Sequence, residues 1–206
     1  INDRDRLFLR GQLLFEPNDD LEIRVIGDYT TRDEDCCAAA YINVTESADL
    51  TPTVPGDATI QPNRILSALQ SLGGIVNTDT YSRDVAVSPG RSYQNKTEDY
   101  GASVQADLDM AFGTLTSITA YREYKSGGAA DLDYGNVDLL FREDSYRRFK
   151  TFTQELRLQG SAFDDKLDWL VGGYYANEKL RVDDTLGYGN DYSRFANCLV
   201  AQNFVA

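Results

Sequence analysis

The stretch from Phe152 to Glu178, FTQELRLQGSAFDDKLDWLVGGYYANE, restricts the possible folds of this chain more than any other segment. Apolar and polar side chains alternate along its two arms, as they do on the two faces of a β-strand. Residues 160–166 between the arms are the small and acidic types that form turns. Each arm has about ten residues, near the 9–11 that a tilted strand needs to cross a bilayer. The stretch therefore predicts a β-hairpin with one much more apolar face.

Two further segments repeat this pattern, so that about six strands form three hairpins. The predicted hairpins cover residues about 6–33, 96–125 and 149–179. The tight turns lie near residues 17–20, 111–114 and 160–166. Long polar loops cover residues about 34–95, 126–147 and 179–206. Short turns at one end and long loops at the other are typical of an outer-membrane barrel.

Two local patterns complete the prediction of secondary structure. Helical spacing of Ile65, Leu66, Leu69 and Leu72 indicates a short helix within 62–74, which Gly73 and Gly74 would end. The facing of residues 115–125 stays open, because the apolar residues of that strand fall on both of its sides.

Aromatic side chains lie near both ends of the predicted strands. Those near the short turns are Phe15, Phe112, Phe163 and Trp169. Those towards the long loops are Tyr29, Tyr100, Tyr121, Tyr124, Phe149, Phe152 and Tyr175. Two such belts match the aromatic girdles of a membrane barrel, although cross-strand pairs in a soluble sheet would also place aromatic residues together.

Composition argues against several classes of function. The chain has 20 Lys and Arg against 33 Asp and Glu, a net charge of −13, which does not favour binding to nucleic acid. It has no histidine, and its three cysteines fit no zinc spacing. A hydrolase would need a lysine base or paired carboxylates, either Glu155 with Asp168 or the loop acids Asp131, Asp133 and Asp138. We therefore expect no enzyme, no metal and no cofactor.

The motifs FTQELRLQG, KLDWLVGGYYANE and LTSITAYREY resemble barrel strands of TonB-dependent outer-membrane receptors. The resemblance covers the three hairpins, about half of the chain. It implies an all-β fold, an antiparallel up-and-down transmembrane β-barrel segment within a larger barrel. The plug domain and the TonB-contacting segment of that family are not visible in the sequence, which is therefore interpreted as a piece of a longer protein.

The resemblance also implies a function. A receptor of this family would import a siderophore, corrinoid or oligosaccharide through the bacterial cell outer membrane, with energy delivered by TonB through the plug. Its partners would be outer-membrane lipid, TonB and the small ligand. Two alternatives stay open: a soluble all-β ligand-binding or glycan-binding module, and a passive porin of the same architecture.

Three sets of residues are candidates for sites within this architecture. Polar residues expected to face the lumen are Glu22, Arg24, Asp28, Glu155 and Arg157. Loop aromatic residues that could stack on a ligand are Tyr41, Tyr134, Tyr146, Tyr188 and Tyr192. Cysteines on the long-loop side are Cys36, Cys37 and Cys198. We expect Cys198 to pair with Cys36 or Cys37, or each to pair with a cysteine elsewhere in the protein.

Overall fold

The computed structural model describes residues 3–35, 38–40, 64–77 and 79–204 of the chain. Its six strands are β1 (Asp5–Asn18), β2 (Leu21–Asp35), β3 (Gln94–Met110), β4 (Gly113–Asp131), β5 (Leu140–Ala162) and β6 (Leu167–Tyr188). Its two helices are α1 (Arg64–Ser71) and α2 (Tyr192–Phe204). The prediction of an all-β chain with six strands in three hairpins is confirmed.

All six strands belong to one antiparallel sheet in which each strand pairs with its neighbours in sequence, in the order β1-β2-β3-β4-β5-β6. This is an up-and-down sheet. In the part of the chain that the structure describes, β1 and β6 are edge strands and the sheet is not closed into a barrel.

Continuous pairing sorts the alternating side chains onto two faces. Val25 of β2 lies opposite Leu13 of β1 and Val104 of β3, so their side chains share one face, called the apolar face below. Arg24 and Gln105 lie opposite each other on the other side, called the polar face. The pairing also answers the open question about β4. Leu115, which lies opposite Leu108 and Leu158, is on the apolar face, and Ile118 is on the polar face.

The buried residues lie beside the sheet rather than under it. The buried apolar side chains of the described residues are Ala68, Tyr93, Val137 and Leu139, all at the end away from the tight turns. The accessible surface is 14388 Å², whereas a compact monomer of 23.0 kDa would expose about 9,600 Å². Within the described ranges, the sheet therefore has little of the second layer that gives an ordinary domain its core.

The strands are longer than predicted, which corrects two loops. Residues 126–131 belong to β4 and 140–147 to β5, so the loop between them covers only residues 132–139 instead of 126–147. Likewise β6 continues to Tyr188 instead of ending near Lys179. The prediction took alternation of apolar residues as its sign of a strand. Near these strand ends the apolar face becomes charged, and in β6 the apolar residues Leu180 and Val182 lie on the polar face, whereas backbone pairing continues.

The helices lie at the long-loop end and pack against each other. The predicted short helix is confirmed as α1, and Gly73 after it has a positive φ of 85°, as a helix stop requires. Helix α2 falls in a segment that was predicted as an irregular loop. Neither helix is long and apolar enough to cross a membrane.

Candidate functional site: a two-faced sheet and its loop cluster

The half of the apolar face nearest the tight turns is aliphatic and uncovered. Its large side chains are between 37% and 67% exposed, and include Leu13, Val25, Val104, Leu108, Leu156 and Val171. Among the described elements, each strand contacts its neighbours in the sheet and α1 contacts α2, so no second sheet or helix covers this face. An apolar patch of this extent on a monomer marks a surface that another apolar phase or partner covers.

A row of aromatic side chains crosses the apolar face at the far limit of the aliphatic part. It consists of Tyr29, Tyr100, Tyr121, Phe152 and Tyr175, one from each of β2 to β6. Tyr29 lies opposite Tyr100 and Tyr121 opposite Phe152, while the ring centroids of Phe152 and Tyr175 are 6.4 Å apart. The row therefore forms a continuous boundary across five strands.

Two residues predicted for this belt are not in it. Tyr124 and Phe149 lie opposite each other on the polar face. Each is three positions from a member of the row in its own strand, and an odd number of positions reverses the side on which a strand residue projects. The predicted belt was wrong for these two residues because it was grouped by position along the strand and not by face.

Charged side chains occupy the apolar face beyond the aromatic row. This charged band consists of Glu98, Glu123, Lys125, Arg148, Lys150, Lys179 and Arg181. Five of its seven members are basic. The same face of the sheet is thus aliphatic, then aromatic, then ionic, in that order from the tight turns outward.

Glu123 is the buried centre of the charged band, with only 2% of its surface exposed. Its carboxylate accepts hydrogen bonds from Tyr121 Oη at 2.6 Å and Arg148 Nε at 2.7 Å. The Nζ atoms of Lys125 and Lys150 lie 3.6 and 3.7 Å from it. The hydrogen bond from Tyr121, with those from Arg148 and Tyr100, lowers the pKa of Glu123 to about 2. Glu123 therefore stays ionised and holds β3, β4 and β5 together at this level.

The polar face carries the five residues that were predicted to face a lumen. Glu22 pairs with Arg24 at 3.0 Å, and Glu155 pairs with Arg157 at 3.5 Å. Asp28 accepts a hydrogen bond from Arg122 at 3.0 Å. Arg122 was not among the residues predicted from the sequence. The structure thus places all five on one side of the sheet, in short ion pairs between exposed or half-buried groups.

A loop cluster at the far end of the sheet contains the three loop acids. Asp138 is bound by Arg91 through two hydrogen bonds of 2.8 and 2.9 Å and by the backbone N–H of Asn190 at 2.9 Å. The hydrogen bonds from Arg91 lower the pKa of Asp138, and its bonds with Asn190 add to this. The buried pair ties the segment before β3 to the loop before β5 and to the start of α2.

Asp131 and Asp133 fold the loop between β4 and β5. Asp131 Oδ1 accepts the backbone N–H groups of Asp133 and Tyr134 at 3.0 and 3.2 Å. Asp133 accepts those of Gly135, Leu139 and Leu140 between 2.8 and 3.1 Å. Burial raises the pKa of Asp133. These acids act as local turn formers, and the described residues contain no group of ligands that could hold a metal ion.

The alternative carboxylate pair, Glu155 with Asp168, is not brought together. Glu155 lies opposite Tyr174 and Asp168 opposite Ser161, so the two acids are six residues apart along the hairpin. That separation is about 20 Å at the rise of an extended strand. The two carboxyl groups therefore cannot share a proton or flank one bond.

The predicted loop tyrosines do not form a single site. Tyr134 lines a cleft of about 480 Å³ together with Ile75, Asn77 and Val85. Tyr188 and Tyr192 stack with ring centroids 4.2 Å apart, and Tyr146 lies beside Arg181, whose guanidinium carbon is 5.7 Å from its ring. Tyr41 lies outside the described residues.

Cys198 is a free thiol in α2, and its Sγ lies 3.9 Å from the hydroxyl of Ser71 in α1. Cys36 and Cys37 lie outside the described residues. The structure therefore does not show the predicted disulfide of Cys198, and the pairing stays a prediction because its expected partners are outside the described residues.

Fold and site together define an all-β chain with an open, two-faced, antiparallel up-and-down sheet. No protein-family model matches the chain, and no solved structure is significantly similar to it. A protein of Bifidobacterium animalis subsp. lactis (strain AD011) named peptidyl-tRNA hydrolase is 26% identical over 116 residues. The match covers 54% of this chain and 55% of that protein. The chain thus spans about half the length of that relative.

This match contradicts two of the predictions made from sequence. The expected function, import through an outer membrane with energy from TonB, does not agree with a relative that is named as a hydrolase. The expectation that the chain is no enzyme is contradicted by the same name. Both expectations came from strand motifs and from missing catalytic residue types. A strand motif indicates the environment of a strand and does not indicate which reaction a protein catalyses.

Proposed function

We propose that the sheet is a section of the wall of a larger β-barrel in an outer membrane, with its apolar face towards lipid and its polar face towards an aqueous lumen. The observation that supports this most is the order of side chains along the apolar face. Aliphatic residues, then an aromatic row, then ionic groups are the order met on leaving a bilayer.

The height of the uncovered part fits a membrane. From Gly113 at the tight turn to Glu123 in the charged band, β4 advances ten residues, or about 33 Å at the usual rise per residue. Barrel strands tilt by about 40°, so this length spans about 25 Å of depth, the height of the apolar band of such barrels. The remaining eight residues of β4 extend beyond this depth, where water surrounds the charged band.

The open edges support a larger barrel. Strand β6 has 22 residues, and its side chains from Leu170 to Leu186 are exposed on both faces. An unpaired strand edge in hydrocarbon leaves backbone groups without hydrogen bonds, at several kcal/mol for each group. Further strands beside β1 and β6 would satisfy these groups, and so would closure into a ring.

Glu155 and Leu156, which are adjacent in β5 and lie on opposite faces, allow a test of which face contacts lipid. In a Trp169→Phe background, which removes the native tryptophan, Leu156→Trp places an indole on the apolar face and Glu155→Trp places one on the polar face. The protein is reconstituted into vesicles whose acyl chains carry bromine. We expect the bromines to quench the fluorescence of Leu156→Trp strongly and that of Glu155→Trp weakly. Equal quenching of the two variants would overturn the proposal.

The name of the relative supports a second candidate function, hydrolysis of peptidyl-tRNA. Because the chain has no histidine, a carboxyl group or a lysine would have to move the proton. Asp133 is a candidate, because burial raises its pKa although hydrogen bonds from backbone N–H groups oppose that rise. Incubating the protein with N-acetyl-phenylalanyl-tRNA and measuring the release of free tRNA tests this function. Release that Asp133→Asn abolishes, while Glu155→Gln retains it, would support a hydrolase, and no release above background would exclude it.

A further inference from the structure

We propose that the charged band is a binding site for the phosphate groups of anionic membrane lipids. This inference rests on the proposed barrel wall, because the lipid must lie against the apolar face. It goes further because it proposes which lipid headgroup binds, and because it places the binding site on three neighbouring strands, β4, β5 and β6.

The charge balance of the band favours an anion. The band has five basic and two acidic members in a chain whose net charge is −13. The acids are engaged: Glu123 is shared by Arg148, Lys125 and Lys150, and Glu98 lies 3.5 Å from Lys125. A further acid on the same face of β6, Asp183, pairs with Arg181 at 2.7 Å. Among the described residues, no acidic side chain lies within ion-pair distance of Lys179. Lys179, and the three cations that share the single charge of Glu123, therefore carry positive charge that the protein itself does not fully neutralise.

The pairing register places these cations directly against one another. Lys150 lies opposite Lys179, and Arg148 lies opposite both Arg181 and Lys125. Like charges directly across an antiparallel pair are destabilising. A phosphate that accepts hydrogen bonds from basic groups on two strands at once would offset this repulsion. Hydrogen bonds between a charged donor and phosphate are stronger than those between neutral groups.

The surroundings of the band favour an amphiphile over a small free anion. On the side of the tight turns, the band continues into the aromatic row and then into the uncovered aliphatic surface around Leu156 and Val171. A lipid with its phosphate at Lys150 and Lys179 would lay its acyl chains along that surface. Basic groups beside a bilayer attract anionic lipids in this way.

A recess beside the band offers room for the headgroup. Gly127 of β4 has no side chain on the apolar face, and it lies opposite Lys96 and Tyr146. Together with Lys125 these residues line a hollow of about 550 Å³, whose lining also includes the acids Asp33 and Glu98. The hollow lies farther from the tight turns than the band, on the side where the polar part of a lipid would project.

The experiment measures lipid selectivity by electron paramagnetic resonance. The protein is reconstituted in phosphatidylcholine bilayers with a trace of spin-labelled phosphatidylcholine or spin-labelled phosphatidic acid, and the motionally restricted fraction of each label is recorded. The test variant is Lys150→Gln with Lys179→Gln. The matched control is Arg10→Gln with Lys166→Gln, which removes two positive charges from the polar face of β1 and from the turn between β5 and β6.

We expect the unaltered protein to prefer phosphatidic acid over phosphatidylcholine by about fivefold, the effect of one basic group at a charged surface. The test variant should lose at least half of this preference, and the control variant should retain it. Restricted phosphatidylcholine without any preference would overturn the lipid site and leave the barrel wall intact. No restricted lipid of either kind would overturn the barrel wall itself.

Two further arms separate lipid from other phosphates. Inorganic phosphate at millimolar concentration should not reduce the preference, because it lacks acyl chains, and a complete loss would assign the site to a soluble anion. Binding of tRNA that the test variant loses and the control retains would instead assign the band to nucleic acid. Either result would overturn the proposal.

Discussion

At the scale of single residues, the loop cluster depends on a buried ion pair. Only 17% of the Arg91 side chain and 8% of the Asp138 side chain are exposed. Such a pair contributes little compared with two apolar residues, but removing one partner leaves the other charge buried and unpaired. The hydrogen bonds of Asp138 to Asn190 would be lost at the same time.

We therefore expect Asp138→Ala to destabilise the loop cluster by about 3 kcal/mol or more. Glu143→Ala is the matched control, because Glu143 also pairs with Arg91, at 3.2 Å, but is half exposed. That change should cost below about 1 kcal/mol. Hydrogen exchange of the amides around Leu139 and Asn190 measures both effects, and an equal loss of protection in the two variants would contradict this account.

Glu123 predicts how the stability of the sheet depends on pH. Its pKa is about 2 in the folded protein, below the usual value of 4.5. A carboxyl group with a lowered pKa stabilises the fold at pH values above its ordinary pKa, and this stabilisation is lost as the pH falls towards the folded value. We expect the unfolding free energy to decrease between about pH 5 and pH 2.5.

Glu123→Gln should remove a large part of this decrease and lower the stability at neutral pH, since Arg148 loses its ionic partner. Glu98→Gln, which changes a nearby exposed acid, should leave the slope in place because it retains Glu123. Denaturant titrations at several pH values measure the slope. An unchanged slope in Glu123→Gln would show that other groups cause the acid sensitivity.

At the scale of an element, the turn between β3 and β4 depends on Gly113. Its φ of 152° is one that side-chain-bearing residues rarely adopt, and an added Cβ would overlap the carbonyl oxygen of Gln159 in β5. We expect Gly113→Ala to destabilise the sheet by about 1–3 kcal/mol. Gly173→Ala is the control, since an added Cβ there meets nothing within 4 Å, and it should be nearly neutral. Thermal unfolding of the two variants compares the costs.

The strands could be predicted from sequence because period-two alternation records which face of a strand meets an apolar phase. The prediction was most accurate for β2, in which apolar and charged residues alternate from Leu21 onward. It failed at the far ends of β4, β5 and β6, where the apolar face becomes charged and apolar side chains such as Leu180 and Val182 lie on the polar face, although the backbone remains paired. Pairing between distant strands is a property that no local pattern contains.

The charged band was missed for a related reason. Arg148 and Lys150 are two positions apart in the segment YRRFK, a spacing that places both on one face of a strand. That signal was available, but the segment was divided between a predicted loop and a predicted strand. The opposition of Lys150 to Lys179 could not be predicted, because it depends on the register between β5 and β6. The pair of Arg91 with Asp138 joins residues 47 positions apart, and local spacing does not reveal it.

For the chain as a whole, the exposed apolar face favours a membrane protein, whereas the name of the relative favours an enzyme. A compact enzyme covers its apolar sheet face with another layer, whereas this sheet leaves side chains such as Val171 largely exposed. The relative named peptidyl-tRNA hydrolase matches about half of the chain at 26% identity. The two observations differ in what they imply for the apolar face, and hydrogen exchange of an edge strand tests whether this face lies in lipid.

Hydrogen exchange of the backbone amides of β6 in a bilayer tests whether this edge strand is paired within a barrel wall. An edge strand pairs on one side only, so alternate backbone amides lack a partner and should exchange quickly where water reaches them. In a closed barrel wall, both sets of amides from Leu167 to Asn177 are bonded and should exchange slowly. We expect uniform protection of this segment in lipid vesicles, comparable with that of β4, which has a neighbour on each side. Alternating fast and slow exchange in vesicles would contradict the barrel wall, because hydrocarbon does not tolerate a free strand edge.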